Sequence, residues 1–257
     1  MFQISNRART VRSRILLTTS LVAIYGLTTG SASATALQGQ LGISSGPASN
    51  VTVTSNTISF GNQLFTVGNA PPNTGDFVPL VGTNGTIQNL NSSVGQQPTG
   101  STFTYYNFLT FATNSAITFQ LNYIAPGVFL ETNCYVAAAS GQTCTPNSLA
   151  TSGVSPFNLS NGPIPPSSST ASFNVAGRVL NGANGINGIS NFTGTFTTPF
   201  DGRTYQQVLA ALQPGGAGFI NSTYAATFTV NAVPEPAQLG LIGASLVGLM
   251  AMIRRRR

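Results

Sequence analysis

The 257-residue chain contains no histidine, no tryptophan and no lysine, and only 5% of its residues are charged. Without an imidazole it lacks the commonest general base and the commonest metal ligand, which excludes serine-triad chemistry and histidine-built metal centres. A glycosidase needs two apposed carboxylates. Between residues 35 and 232 only Asp76, Glu131 and Asp201 are present to supply them. Asp201-Gly202, between strand-like and helix-like segments, reads as a turn or cap. Asp76, after Asn73-Thr74-Gly75, offers one carboxylate among neutral oxygens, too little for a calcium loop of useful affinity. The expectation is therefore a body with no catalytic residue, no cofactor and no metal.

Charge is scarce in the body because it is concentrated at the ends. Arg7, Arg9, Arg12, Arg14 and Arg254 to Arg257 lie outside residues 35–232, where Arg178 and Arg203 face three carboxylates, a net charge of −1. No basic patch remains there, so nucleic-acid binding has no electrostatic basis. Polarity is carried by Ser, Thr, Asn, Gln and Gly instead.

The two ends read as targeting segments. The four N-terminal arginines precede an apolar stretch from Ile15 to Leu27 and the small-residue site Ala32-Ser33-Ala34, the pattern of a secretory signal peptide over residues 1–34 cleaved by signal peptidase near Ala32 and Ala34. At the other end, Pro234-Glu235-Pro236 is followed by an uncharged apolar run, residues 239–253, and by Arg254, Arg255, Arg256 and Arg257. Such a run enters a bilayer as a transmembrane helix, and the guanidinium groups hold its end in water on the cytoplasmic side. This tail, residues 233–257, resembles the PEP-CTERM sorting signal of Gram-negative bacteria. The resemblance implies an exosortase-type processing protease as partner, transient anchoring in the inner membrane, and delivery to the cell surface or beyond. It leaves the activity of the body open.

The body, residues 35–232, is patterned with period two. In Ala116 to Tyr123 apolar side chains fall on odd numbers and polar ones on even numbers, as in a strand with one dry face, and residues 102–111 read as its hairpin partner across Asn114-Ser115. The alternation returns at Val51 and Val53, at Phe173, Val175 and Val179, at Phe192 and Phe196, and at Tyr224, Phe228 and Val230. One dry and one Thr- or Ser-rich face per strand predicts antiparallel sheets. The expected fold is all-β: an antiparallel β-sandwich with one short helix over 204–212, where Tyr205, Val208, Leu209 and Leu212 share a face and Pro214-Gly215-Gly216 stops the turn.

Cys134 and Cys144 are the only cysteines. In an exported chain a disulfide between them is expected, with two free thiols as the alternative. Two functions fit these features. The first is a non-enzymatic structural or matrix protein of the cell surface. The second is a carbohydrate-binding module for exopolysaccharide, with Phe103, Tyr105, Tyr106 and Phe108 presenting rings to a sugar face; ordinary core packing is the competing use of those rings.

Overall fold

The computed structural model describes residues 36–233, apart from 47–48, 56, 69–71, 93–96, 148–153, 164–166 and 183–187, together with Ser245. Period-two segments become strands where the sequence places them. Residues 102–111 and 116–124 form the expected hairpin, β7 (Thr102–Phe111) and β8 (Ile117–Ile124), in which Ile117, Phe119 and Leu121 are buried. The remaining alternating segments fall in β2 (Val51–Val53), β11 (Ser168–Asn181), β12 (Ile189–Asp201) and β14 (Ala225–Ala232). Along β12 buried and exposed residues alternate almost without interruption, with Ser190, Phe192, Gly194, Phe196 and Thr198 facing in.

The dry faces are hidden differently from the sandwich expected. With β1 (Gly39–Ser45), β4 (Leu64–Val67) and β5 (Asn84–Ile87), the strands run in the order β12-β14-β1-β4-β5-β7-β8-β11, and β11 pairs back onto β12. Eight antiparallel strands therefore close into a barrel-like ring. Closure removes the open edges that two stacked sheets would expose, and a ring of eight is just wide enough for side chains to fill its interior. Phenylalanine fills it here. Phe119 contacts Phe77, Phe111, Phe192 and Phe228 at ring-centroid separations of 5.0–6.2 Å, and Phe65 extends the chain of rings through Phe111 at 5.5 Å.

Three of these rings lie over a glycine directly across the strand pair. Phe65 is the register partner of Gly85, Phe192 of Gly177 and Phe228 of Gly194. Glycine gives each ring the volume that any other side chain would occupy. A Cβ at Gly194 would sit 2.4 Å from the Phe228 ring.

A smaller antiparallel sheet packs on the first. Its order is β13-β2-β3-β6, with β3 (Thr57–Phe60), β6 (Leu90–Asn91) and β13 (Ile220–Ser222). Phe60 joins the two through contacts with Phe196 at 5.8 Å and Tyr224 at 5.0 Å.

β11 and β12 are long enough to outrun the ring. β11 pairs with β8 from Val175 onward, but its first residues, 169–172, pair with β10 (Asn158–Asn161), which in turn carries β9 (Thr143–Cys144). This overhang supports a second core of Cys134, Cys144, Leu159, Ala171, Phe200, Tyr205, Val208, Leu209 and Ile220. The helix α1 (Tyr205–Leu212) packs there. Thr204 caps it, its hydroxyl accepting from the Gln207 N–H while the Gln207 side chain accepts from the Thr204 N–H, a reciprocal arrangement that satisfies two orphan donors. Tyr205, Val208 and Leu209 are buried and Leu212 half-buried, as the helical spacing predicts. Eight residues are too few for a helix stable on its own, so its stability comes from this packing.

Candidate functional site

The sorting residues lie where the body ends. β14 closes at Ala232, beside Ser190 at the start of β12, and Val233 is half out in solvent. Pro234, Glu235, Pro236, the apolar run 239–253 except Ser245, and Arg254 to Arg257 lie outside the described residues, as do Ala32, Ala34 and the whole segment 1–34. Among the described residues no helix is long and apolar enough to cross a membrane.

The two cysteines meet. Cys134 sits in a 3₁₀ turn, Glu131–Tyr135, and Cys144 ends β9; they are joined in a disulfide with a Cα separation of 5.3 Å. The disulfide-closed turn and the neighbouring β10 are tied to α1 by hydrogen bonds. The Tyr205 hydroxyl donates to the Asn133 carbonyl at 2.9 Å, the Tyr205 N–H donates to Asn161 Oδ1 at 2.9 Å, and Gln206 Nε2 donates to Gln142 Oε1 at 3.0 Å. Burial pushes the Tyr205 phenol up from its ordinary value. Among the described residues no group of three His, Cys, Asp or Glu side chains converges.

The rings of β7 do not form a platform. Phe108 is fully buried, Phe103 and Tyr105 are half-buried against the barrel core, and only Tyr106 is exposed, at 67%. Two register irregularities, with Asn107 at a φ of 54°, rotate successive side chains so that neighbouring rings point apart. Tyr105 also spends its hydroxyl on the Asn89 carbonyl, at 3.1 Å. These rings serve cross-strand packing.

A concave site that the sequence did not single out lies where β12 ends and β13 begins. Asp201 closes β12, Gly202 turns the chain with a φ of 74°, and Arg203 follows; Phe219, Ile220, Asn221 and Ser222 form the facing wall of a pocket of about 400 Å³. Phe200 and Ile220 are buried beneath it, while Asp201, Arg203 and Phe219 are exposed. Sequence reading took Asp201-Gly202 as a turn, which is correct for the backbone. The pocket depends on β12 and β13 being brought together across an intervening helix, and no local spacing signals that.

A second hollow, of about 80 Å³, lies among Phe60, Phe173, Phe196, Leu209 and Tyr224, between the small sheet and α1. Phe173 and Phe196 are stacked nearly parallel beside it, with centroids 4.8 Å apart.

Comparison with curated proteins and with solved structures returns no match. One comparison identifies the tail. The region that begins at the last residue of β14 and contains Pro234-Glu235-Pro236, the apolar run and the four arginines matches the PEP-CTERM protein-sorting motif over residues 232–257. That motif implies export, membrane-associated sorting and exosortase processing. The chain thus carries a PEP-CTERM protein-sorting motif at its C-terminal end, consistent with a PEP-CTERM sorting domain-containing protein.

Proposed function

We propose that the body is a non-enzymatic component of the cell surface or extracellular matrix. It is exported through the signal peptide, held transiently in the inner membrane by residues 239–253, and released by cleavage near Pro234-Glu235-Pro236. The observation that carries this reading is the sorting motif over residues 232–257.

The chemistry of the body supports a non-enzymatic role. It has no imidazole, and its three carboxylates are dispersed. Asp76 accepts from the Gln38 N–H at 2.7 Å beside the start of β1, Glu131 accepts from the Tyr135 hydroxyl at 3.4 Å, and Asp201 closes β12 at the opposite end of the barrel. Phenylalanine packing also leaves the barrel interior to side chains.

The test is replacement of Arg254 to Arg257 with Asn, followed by fractionation. The short apolar run holds the membrane only with help from its basic end, so the membrane-bound fraction falls and the surface product falls with it. An unchanged distribution contradicts the reading.

A second reading, glycan binding by the body, loses the β7 rings as its platform. What favours it is the pocket at Asp201, Arg203 and Phe219, where an exposed ring stands beside hydrogen-bonding groups.

A further inference from the structure

The body has five charged side chains, Asp76, Glu131, Arg178, Asp201 and Arg203. Two of the five, of opposite sign, line a pocket that also exposes a phenylalanine ring. Neither the Asp201 carboxylate nor the Arg203 guanidinium has a hydrogen-bond or ion-pair partner among the described residues. Asn221 is half engaged: its Oδ1 accepts from Thr52 Oγ1 at 2.6 Å, which leaves its amide N–H groups to donate elsewhere. Phe219 is 47% exposed although Phe200 and Ile220 behind it are buried. The site thus offers an apolar face, a cation, an anion and an amide donor within about 400 Å³, a volume in the range of small-molecule clefts.

From this arrangement we infer that the pocket is a subsite for an acidic sugar unit, a hexuronate within a glycan chain. This rests on the glycan-binding reading of the body and adds the class of sugar. The C–H face of a pyranose ring lies on Phe219, its carboxylate takes the planar guanidinium of Arg203 as a two-pronged donor, its hydroxyls donate to the Asp201 carboxylate, and the Asn221 amide donates to a further hydroxyl. A neutral sugar leaves Arg203 unused. A densely charged polyanion meets the repulsion of Asp201, and a body with a net charge of −1 offers it no compensating field. One anionic group set among hydroxyls is the chemistry that uses every group present.

The position of the site agrees with an extracellular ligand. β12 runs from Ile189, next to the end of β14, to Asp201, so the pocket stands at the end of the barrel opposite the point where the chain leaves for the tail. While the tail holds the protein in the inner membrane, this end is directed away from where the chain departs.

The inference is tested by titrating the full chain, in nonionic detergent, with a xylo-oligosaccharide that carries a single glucuronate, its methyl ester and dextran oligomers, read by calorimetry. The glucuronate oligosaccharide binds, and methyl esterification weakens binding roughly tenfold, the loss of one charge-assisted contact. Arg203→Gln gives the same roughly tenfold loss and no longer distinguishes acid from ester. Phe219→Ala weakens both forms. Circular dichroism stays unchanged in both variants because the two side chains are exposed. Equal binding of acid and ester, insensitive to Arg203→Gln, overturns the acidic-sugar assignment while leaving glycan binding standing. Binding that survives Phe219→Ala undiminished overturns the location, and no binding of any of the three glycans overturns both readings.

Discussion

Tyr224 shows how a single side chain joins the two sheets. Its ring packs edge-on against Phe60, and its hydroxyl donates to the Leu64 carbonyl at 3.2 Å, an oxygen that also accepts from the Gly46 N–H. Burial pushes its phenol far above the ordinary tyrosine value near 10, and the same cause raises Tyr105 and Tyr205. A phenol whose folded-state value is raised stabilises the fold fully below its unfolded value and loses that contribution as pH climbs toward the folded value. Stability measured by urea titration should therefore hold up to about pH 10 and fall above it. Tyr224→Phe should cost about 1 kcal/mol at neutral pH, for the lost hydrogen bond, and flatten the alkaline fall. An alkaline slope that is the same in the variant would show that Tyr224 is not among the groups responsible.

At the scale of elements, the strands were legible and their closure was not. Alternation in Phe192, Phe196, Tyr224, Phe228 and Val230 assigns each residue to the dry face, and all five are buried. Alternation is the same whether the dry face meets a second sheet or the far wall of a ring, so a sandwich and a barrel cannot be told apart by it. What separates them is the long-range pairing of β11 with β12 and of β14 with both β12 and β1, which leaves no local trace. The helix was legible because amphipathic spacing and a Pro-Gly-Gly stop are both local. So was the disulfide, whose closed loop of about ten residues stabilises the lobe by about 3 kcal/mol in the chain-entropy account. The glycines facing Phe65, Phe192 and Phe228 carried no recognisable signal, yet the interior depends on them. At Gly177 a Cβ would stand 2.0 Å from the Gln120 carbonyl oxygen and 2.7 Å from the Phe192 ring, and the first of these is backbone in the neighbouring strand. Gly177→Ala should destabilise the body by roughly 2–3 kcal/mol, seen as a lower urea midpoint at unchanged slope. A shift within about 0.5 kcal/mol, the range of ordinary surface changes, would mean the strands have room to spare there.

At the scale of the whole molecule, both ends of the body emerge together. β1 begins at Gly39, opposite Val230, and β14 ends at Ala232 beside the first turn of β12, while the disulfide lobe and the Asp201 pocket occupy the other end. The proposed anchor, residues 239–253, is short by its sequence: about 15 apolar residues would span some 22 Å if helical, against a hydrocarbon core of roughly 30 Å. Snorkelling arginines and local thinning of the bilayer would close that gap for a time, as the proposed transient anchoring requires.

The central claim is that residues 232–257 are a sorting signal removed before the protein reaches its destination. Intact-mass measurement of the membrane-bound and surface forms from the same cells tests it most directly. The surface form should be lighter by about 2–3 kDa, the share of the processed tail in the 26.5 kDa chain, with its new C-terminus near Pro234-Glu235-Pro236. A surface form that still ends in Arg257 would contradict it and make the tail a permanent anchor.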